Sequence, residues 1–290
     1  MRWFVKNFRK SKALPVKALA TVAFPMQFFN TFYSMAELGA GKMKEATFCL
    51  SFDVDHKIDN EVLPKLLDTL SSYKIKCDFA AIGRWVEQYP HIYSKILDGG
   101  HSLLNHTYTH PDNSELSPNV YFKDLPTEKK KEEILKCHEA VKKATGHEMR
   151  GYRTPHFGNQ YTQDIYPILE ELGYSFSSSV LASQADFFTP YKVGKITEFP
   201  ITTCPRHPLS SFDSFHVIRA KKHTPQEFLS LFSFIIGKAE RENLFINLYF
   251  DPQDVAGLRE FEKMLETVSG SKAKITNLGH FQDSLKDTLK

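Results

Sequence analysis

Short apolar runs alternate with longer amphipathic segments from residue 46 to the end of the chain. The apolar runs are rich in strand-forming residues and predict strands over 46–52, 77–82, 101–105, 150–153, 174–180, 196–200, 216–219, 244–250 and 274–276. The segments between them carry apolar residues at helical spacing and predict helices over 61–73, 84–88, 92–97, 127–146, 162–173, from 224 onward, 257–268 and 281–289. Alternation of strand and helix predicts parallel pairing with right-handed crossovers, and therefore an α/β fold.

Several residues predict where these helices begin and end. Asn60 is a suitable cap for the first helix, and Thr224-Pro225-Gln226-Glu227 combines a cap, a proline at the first position and an acid in the first turn. In an α/β barrel, side chains that follow the strands meet at one edge of the sheet, so we expect functional residues to cluster there.

The first 44 residues differ in composition from the rest of the chain. Basic and aromatic residues are interleaved, and no acidic residue occurs before Glu37. No apolar run reaches the roughly 20 residues of a spanning helix. We predict an N-terminal arm over 1–44 that makes peripheral contact with a membrane. The alternatives are an arm that packs on the protein's own surface and a cleaved signal peptide.

Chain length, net charge and cysteine content limit the classes of protein to which this sequence can belong. A chain of 290 residues with 41% hydrophobic content suits one large domain, predicted over 45–290. The net charge of +3 gives no support for nucleic-acid binding, and nothing marks a partner protein. The four cysteines lack C-x-x-C spacing, and Cys49 and Cys77 fall within apolar runs, which favours buried thiols over disulfides and a reducing compartment. Together with the N-terminal arm, this predicts a membrane-associated or cytoplasmic location, with export as the alternative.

Two motifs carry candidate chemistry, each directly after a predicted strand. Asp53 and Asp55 are two residues apart and leave a strand on the same face, and His106 and His110 lie four residues apart in one loop. One carboxylate and two imidazoles suit a borderline divalent metal such as zinc, with positions left for water and substrate. The second carboxylate is then free to accept a proton from that water.

These motifs, followed by Gly151-Tyr152-Arg153-Thr154-Pro155-His156-Phe157-Gly158, resemble those of the polysaccharide deacetylase family, the NodB-homology (carbohydrate esterase 4-like) enzymes, over residues 47 to about 287. The resemblance implies a distorted (β/α) barrel with about seven parallel strands. It also implies that Asp53 is the catalytic base and that the metal ligands are Asp55, His106 and His110. The form Phe52-Asp53-Val54-Asp55 resembles the branch that deacylates peptidoglycan, lipid-linked sugars and small amides.

The third motif implies the groove and the residue that orients the base. Arg153 is expected to orient Asp53, while Pro155, His156 and Phe157 are expected to shape the groove together with Tyr108. The family's Asp-containing fourth motif is not evident here, so the sequence predicts no partner for Arg153. Among other aromatic residues, a few are candidates to stack on sugar faces, although core packing is the favoured role for most of them: Tyr121, Phe122, Phe187 and Phe188.

The proton donor departs from the family pattern. Asp251 stands before Pro252 where the resemblance predicts a histidine, so Asp251 is the expected acid provided that burial or a neighbouring carboxylate raises its pKa. His156 and His216 are the alternative proton donors, although a surface histidine without a catalytic role is the favoured interpretation of His216.

The resemblance implies a metal-dependent hydrolase that removes an N-acyl group, N-acetyl above all, from an amino sugar in a glycan or lipid-linked saccharide. Zn²⁺ is the expected metal, with Co²⁺, Ni²⁺ or Mn²⁺ as alternatives, and a carbohydrate is the expected substrate. Two other hypotheses remain open at this point. One is a catalytically degenerate barrel that binds glycan, and the other is an amidohydrolase that acts on a small non-sugar amide.

Overall fold

A parallel sheet curled into a half-barrel forms the centre of the protein. The computed structural model describes residues 23–34, 43–185, 188–220 and 223–285. In this part of the chain the sheet contains nine strands: β1 Thr47–Asp53, β2 Asp78–Ala81, β3 Ser102–Asn105, β4 Gly151–Tyr152, β5 Phe176–Ser177, β6 Tyr191–Val193, β7 Ile196–Glu198, β8 Phe245–Phe250 and β9 Lys274–Ile275. Their order is β6-β7-β5-β4-β3-β2-β1-β8, with β9 paired to β1.

Helices connect the strands, and most of them cover the outside of the sheet. They are α1 Pro25–Ser34, α2 Lys57–Ser72, α3 Gly83–Gln88, α4 Pro90–Asp98, α5 Thr127–Thr145, α6 Phe157–Gln160, α7 Ile165–Glu171, α8 Pro225–Glu242, α9 Pro252–Val255, α10 Arg259–Ser269 and α11 Leu278–Leu285. Because consecutive strands are joined through helices, the pairs β1–β2, β2–β3, β3–β4 and β4–β5 are all parallel. Only β6 pairs antiparallel, with β7.

The two faces of β1 belong to different layers, as the two-residue period of a strand requires. Phe48, Leu50 and Phe52 pack in the main core between sheet and helices. Cys49 packs in a smaller cluster inside the barrel, where α11 supplies Phe281. Asp53 has the parity of Cys49, so the same alternation turns its carboxylate inward at the carboxyl end of the strand.

The curled sheet is nearly closed between its two ends. The segment after β7 runs towards β8, and the backbone N–H of Thr202 donates to the carbonyl of Asn247 at 2.8 Å. The Asn247 side chain adds bonds to the carbonyl of Phe199 at 3.1 Å and to the hydroxyl of Ser178 at 3.0 Å. A single backbone bond plus one amide side chain therefore bridges the gap.

The predicted α/β barrel is confirmed, with nine strands in place of about seven. Three local predictions are wrong. Asn60 is not a cap, because α2 begins one turn earlier at Lys57, and the Asn60 amide donates to the carbonyl of the true cap, His56, at 3.1 Å. Residues 216–219 lie in a π-helix, Phe215–Arg219, and not in a strand. The last helix begins at Leu278, three residues before the predicted start.

Part of the predicted N-terminal arm is described. Phe28, Phe29 and Tyr33 of α1 are buried in the main core, and the Tyr33 hydroxyl accepts a hydrogen bond from the backbone N–H of Thr203 at 3.2 Å. Residues 1–22 and 35–42, on which the predicted membrane contact largely depends, lie outside the described residues. Across the described ranges, every helix is too short or too polar to span a bilayer. All four cysteines are described, all are buried, and no disulfide joins them.

Candidate metal centre and active-site cleft

The strand ends bring the predicted motifs together, as expected from parallel pairing. Asp53 is the last residue of β1, His106 follows β3, and Arg153 follows β4. The loop after β3 is a tight turn in which Thr107 and His110 have positive φ angles of 66° and 51°. Asn105 stabilises this turn by accepting the backbone N–H of Thr107 at 2.9 Å.

Three side-chain atoms converge at the mouth of the barrel in the geometry of a metal site. Asp55 Oδ1 lies 3.3 Å from His106 Nε2 and 3.4 Å from His110 Nε2. Both histidines are 1% exposed. All three atoms are buried without a hydrogen-bond partner of good geometry among the described residues. A divalent cation would satisfy all three, since buried polar atoms otherwise have partners, and the set of one carboxylate and two imidazoles suits zinc.

The surroundings of the two histidines differ. His106 Nδ1 lies 2.9 Å from the carbonyl of Arg153, which must be accepting, so Nδ1 carries a proton and Nε2 is the atom that faces the metal position. Burial opposes protonation of His106, but the carboxylates of Asp55 and Asp53 outweigh it and raise the His106 pKa, so a metal ion would displace a proton from Nε2. Burial lowers the pKa of His110 to about 3. Burial opposes ionisation of Asp55, but the imidazoles of His110 and His106 outweigh it and hold the Asp55 pKa well below its usual range.

The second carboxylate of the first motif, that of Asp53, is held by the arginine of the third. Arg153 is fully buried, and its Nη1 donates to Asp53 Oδ1 at 2.5 Å. The other oxygen of Asp53, Oδ2, lies 4.0 Å from His106 Nε2 and so faces the metal position. Burial raises the pKa of Asp53, and the positive charge of Arg153 offsets this only in part.

Ser178 is the partner of Arg153 that the sequence left unassigned. The arginine donates from Nε to the Ser178 carbonyl and from Nη2 to its hydroxyl, both at 3.0 Å. The neighbouring Ser179 hydroxyl accepts the backbone N–H of Thr154 at 2.9 Å. The serine-rich segment after β5 thus occupies the place of the missing fourth motif, and it binds the guanidinium without a carboxylate.

An open cleft of about 570 Å³ lies beside Asp55, whereas His106 and His110 are not among its lining residues. Predicted residues on its wall are Asp53, Asp55, His156, Phe157, His216 and Asp251. His156 is exposed, and its ring centroid is 4.7 Å from that of His110. The structure adds lining residues that the sequence analysis did not single out: His56, Gly158, Asn159, Leu181, Gln184, Leu209, Ser210, Ser211, Phe215, Arg219 and Tyr249.

Two of the predicted groove residues do not line this cleft. Tyr108 turns away, because its backbone N–H donates to Glu133 Oε2 at 3.0 Å and its hydroxyl donates to Glu87 Oε2 at 3.0 Å. The prediction that Tyr108 belongs to the groove is therefore wrong. Pro155 is buried and lies outside the lining, so it shapes the turn and not the cleft surface.

The aromatic candidates for sugar stacking divide between core and surface. Phe122 and Phe188 are 0% and 4% exposed and belong to the main core. Tyr121 is exposed, and Phe187 lies outside the described residues. Of this wider group, Phe157 alone among the described residues reaches the cleft, where its ring packs edge-on against Tyr249 at 5.3 Å between centroids.

Asp251 is buried at the cleft wall but does not meet the condition for a proton donor. Its carboxylate pairs with the guanidinium of Arg219, which also binds Asp254 Oδ2 through Nε at 2.9 Å. A positive charge in contact stabilises the carboxylate, whereas a general acid must carry a proton. The predicted catalytic role of Asp251 is therefore not supported by its surroundings.

Like His56, whose Nδ1 lies 3.0 Å from Glu115 Oε1, His216 is a histidine of the cleft with a carboxylate partner at hydrogen-bond distance. Its Nδ1 lies 2.9 Å and 3.0 Å from the two oxygens of Asp213, and Tyr249 donates its hydroxyl to Asp213 Oδ2 at 2.8 Å. Burial opposes ionisation of Asp213, but the hydrogen bonds and charge of His216 keep the Asp213 pKa below its usual value. Sequence reasoning missed Asp213, whose only signal was its spacing of three residues from His216.

Comparison with known proteins connects this site to a family. The sequence model of the polysaccharide deacetylase family matches residues 40–177. Peptidoglycan-N-acetylglucosamine deacetylase of Bacillus cereus is 29% identical over 117 residues, which are 40% of this chain and 38% of that protein. Peptidoglycan-N-acetylmuramic acid deacetylase PdaA of Bacillus subtilis is 28% identical over 134 residues, or 46% of each chain. The matched part therefore spans less than half the length of these relatives.

Solved structures extend the likeness over most of the fold. A candidate polysaccharide deacetylase from Mycobacterium smegmatis superposes with a TM-score of 0.69 at 15% identity, over 84% of this chain and 92% of that one. A CE4 family pseudoenzyme from Bacillus anthracis superposes with a TM-score of 0.57 at 17% identity, over 84% of this chain and 67% of that one. These likenesses concern the fold alone, and a fold does not decide activity. The match to the polysaccharide deacetylase model over residues 40–177 contains all three motifs, and the overall fold resembles that of the Mycobacterium smegmatis protein.

Proposed function

We propose that this protein is a metal-dependent hydrolase that removes an N-acetyl group from an amino sugar of a glycan. The observation that carries the proposal is the convergence of Asp55, His106 and His110 on one point, beside a second carboxylate that Arg153 orients. The matched relatives from Bacillus are named as deacetylases of peptidoglycan amino sugars.

The metal position is the electrophilic side of the site. Zinc is the ion that the donor set fits best, and Co²⁺, Ni²⁺ or Mn²⁺ would accept the same ligands. When bound, the ion supplies Lewis acidity towards water and towards the amide carbonyl. Asp55, His106 and His110 hold it through Oδ1, Nε2 and Nε2, and the cleft leaves room for substrate on the open side.

Asp53 is the base in this mechanism. Arg153 fixes one oxygen of the carboxylate and leaves Oδ2 facing the ligands, where it accepts a proton from the attacking water. Because burial raises the pKa of Asp53, its carboxylate is a stronger base than an exposed one.

His216 is the proton donor to the leaving amine. It lines the cleft, its Nδ1 is bound by Asp213, and its Nε2 carries the proton that the sugar nitrogen needs when the amide bond breaks. Asp213 stabilises the protonated ring, and Tyr249 holds Asp213 in place. This assignment replaces Asp251, whose carboxylate Arg219 neutralises.

The substrate class follows from the cleft and the relatives. An open cleft lined by both polar and apolar side chains is accessible to an extended glycan, and its carboxylates and histidines can bind sugar hydroxyls. A lipid-linked saccharide is the narrower form of this proposal. It rests on the basic, aromatic composition of residues 1–44 alone, as does a location at a membrane.

The first experiment measures metal content and acetate release together. We expect His106→Ala to lose the ion and to lower acetate release from N-acetylated glycans more than about a hundredfold. Losing a residue that only hydrogen-bonds to a metal ligand already costs roughly 10- to 100-fold, and His106 would bind the metal directly. Chelation should do the same to the wild type. His91→Ala removes an exposed histidine on α4 and should leave both quantities unchanged.

The substrates tested decide between the competing functions. Release from N-acetylated glycans but not from ureides or formamides supports the proposal, and the reverse favours an amidohydrolase of small amides. Saccharide binding without release in zinc-loaded protein would favour a glycan-binding barrel. Activity that survives both chelation and His106→Ala would refute the metal mechanism.

A second pair of variants identifies the acid. We expect His216→Gln to lower kcat about 10²- to 10⁴-fold, the usual range for a general acid. The variant should also lose the fall in kcat at alkaline pH that the deprotonation of a general acid causes. Asp251→Asn should keep that fall. If Asp251→Asn loses it and His216→Gln does not, the assignment is reversed.

A further inference from the structure

A second group of metal-binding side chains lies outside the described active site. Cys204 Sγ is 3.4 Å from His223 Nε2 and 3.8 Å from His207 Nδ1. All three atoms lie within 4.8 Å of one another. Cys204 and His223 are 1% and 7% exposed, and His207 is half-buried. No residue of this group contributes to the Asp55–His106–His110 site.

The backbone holds the three side chains in this arrangement. Cys204 and His207 sit in a turn, in which the N–H of His207 donates to the carbonyl of Cys204 at 3.2 Å. Ser210 closes the same loop through bonds with Cys204 at 2.8 Å and His207 at 2.8 Å. His223 stands directly before Thr224, whose hydroxyl caps α8 by accepting the N–H of Glu227 at 3.1 Å.

We propose that Cys204, His207 and His223 bind a zinc ion that is separate from the catalytic metal. A thiolate with two imidazoles is a donor set that zinc prefers, and the hard cations Mg²⁺ and Ca²⁺ do not. The alternative is a set of thiol–imidazole hydrogen bonds, which the 3.4 Å and 3.8 Å distances would also allow. Convergence of both imidazoles on one buried sulfur favours the ion, because a thiol is a weak hydrogen-bond donor and a weak acceptor, whereas a thiolate and two imidazoles are strong zinc ligands.

The position of the site defines its effect. The loop that begins at Cys204 continues through Leu209, Ser210 and Ser211, which line the active-site cleft. His223 belongs to a different segment, at the start of α8. An ion bound to both segments ties the cleft wall to the helix, so it stabilises the wall without contacting the reacting atoms.

Metal stoichiometry and cobalt spectroscopy test this proposal. We expect about two zinc ions per wild-type chain, about one in His106→Ala/His110→Ala and about one in Cys204→Ser, one ion for each intact set of ligands. Cobalt-loaded His106→Ala/His110→Ala protein should show a thiolate-to-metal absorption band in the near ultraviolet. Adding Cys204→Ser to that double variant should abolish the band, because no thiolate then binds the metal.

Controls keep the result interpretable. Cys137→Ser alters a buried cysteine elsewhere, whose thiol contacts the carbonyl of Ala81 at 3.2 Å, and it should keep the band. If Cys204→Ser fails to fold, His207→Gln provides the second test, since this half-buried ligand should weaken zinc binding in folded protein. Zinc should also raise the melting temperature of His106→Ala/His110→Ala.

The outcomes separate this proposal from the proposed catalytic function. A zinc content of about one in the wild type and none in His106→Ala/His110→Ala, with no thiolate band, would overturn the second site and leave the first intact. A thiolate band in cobalt-loaded His106→Ala/His110→Ala protein, together with no acetate release by the zinc-loaded wild type, would support the second site and count against the deacetylase.

Discussion

Arg153 illustrates how one side chain connects three parts of the active site. Its guanidinium binds Asp53 on one side and Ser178 on the other, while its carbonyl accepts the proton of His106. A planar guanidinium can donate in these directions at once, and an ammonium cannot. The orientation of the base and the tautomer of a metal ligand therefore depend on one residue.

We expect Arg153→Lys to reduce acetate release by roughly ten- to a hundredfold, because a lysine keeps the charge but not the fork that fixes Asp53 Oδ1. The measurement is kcat and KM on an N-acetylated glycan, with circular dichroism to verify folding. Arg150→Lys is the matched control, since Arg150 forms an exposed pair with Asp283 at 2.9 Å and 3.0 Å. Equal losses in both variants would contradict this role for Arg153.

At the residue scale, the sequence predicted groups whose spacing has a chemical meaning and missed groups that only the fold brings together. Asp53, Asp55, His106 and His110 follow strands and lie where the parallel sheet predicts. Ser178 was missed because it binds Arg153 through its backbone carbonyl and its hydroxyl, and neither contact leaves a charge pattern in the sequence.

Close packing between β4 and β5 determines the sheet next to Arg153. Each of these strands has two residues, and Gly151 pairs with Phe176. A Cβ on Gly151 would approach Leu104 Cδ2 to 2.6 Å and the Phe176 ring more closely still. Glycine is therefore required here by space, since the ring of Phe176 lies over the backbone.

We expect Gly151→Ala to lower the free energy of unfolding by about 1–3 kcal/mol, the usual cost of overpacking a well-packed core. Urea unfolding of both proteins measures it. Gly158→Ala is the control, because a Cβ there would meet no atom within 4 Å. A loss at Gly158 equal to that at Gly151 would contradict this explanation, because alanine restricts the unfolded chain and should stabilise the protein slightly where its Cβ crowds no atom.

At the element scale, the prediction failed where a local side-chain hydrogen bond outweighs strand propensity. The run Phe215–Arg219 contains β-branched and aromatic residues that favour a strand. In the structure it is a π-helix, because the Asp213 carboxylate accepts the backbone N–H of His216 at 2.7 Å and starts a helical turn. This turn is what directs His216 into the cleft.

At the scale of the whole molecule, a buried carboxylate holds the last described helix in place at the end of the barrel opposite the cleft. Asp78, at the start of β2, accepts the N–H of Leu278 at 2.7 Å and the hydroxyl of Ser102. Leu278 is the first residue of α11, which fills the interior of the barrel with Phe281 and Leu285. Asp78 thus anchors the helix that closes this end, and an anion suits the N-terminus of a helix.

Burial raises the pKa of Asp78 to about 6, although hydrogen bonds from Leu278 and Ser102 lower it in part. The folded state therefore binds this proton more tightly than the unfolded state, whose carboxyl has its ordinary pKa of 3.8. Between these values the folded protein holds more protons, so the contribution of Asp78 to stability is present at low pH and is lost as pH rises through about 6.

We expect the wild type to gain about 2 kcal/mol of stability relative to Asp78→Asn when the pH falls from about 7 to about 4.5, since each pKa unit corresponds to about 1.4 kcal/mol. Urea unfolding of both proteins at the two pH values measures this difference. Asp68→Asn, on the exposed face of α2, should show no such gain. Asparagine keeps an oxygen to accept the Leu278 N–H, so α11 stays docked and the comparison isolates the proton. If the free energies of unfolding of the wild type and Asp78→Asn change with pH in parallel, the prediction is wrong. The hydrogen bonds to the Asp78 carboxylate would then compensate fully for its burial.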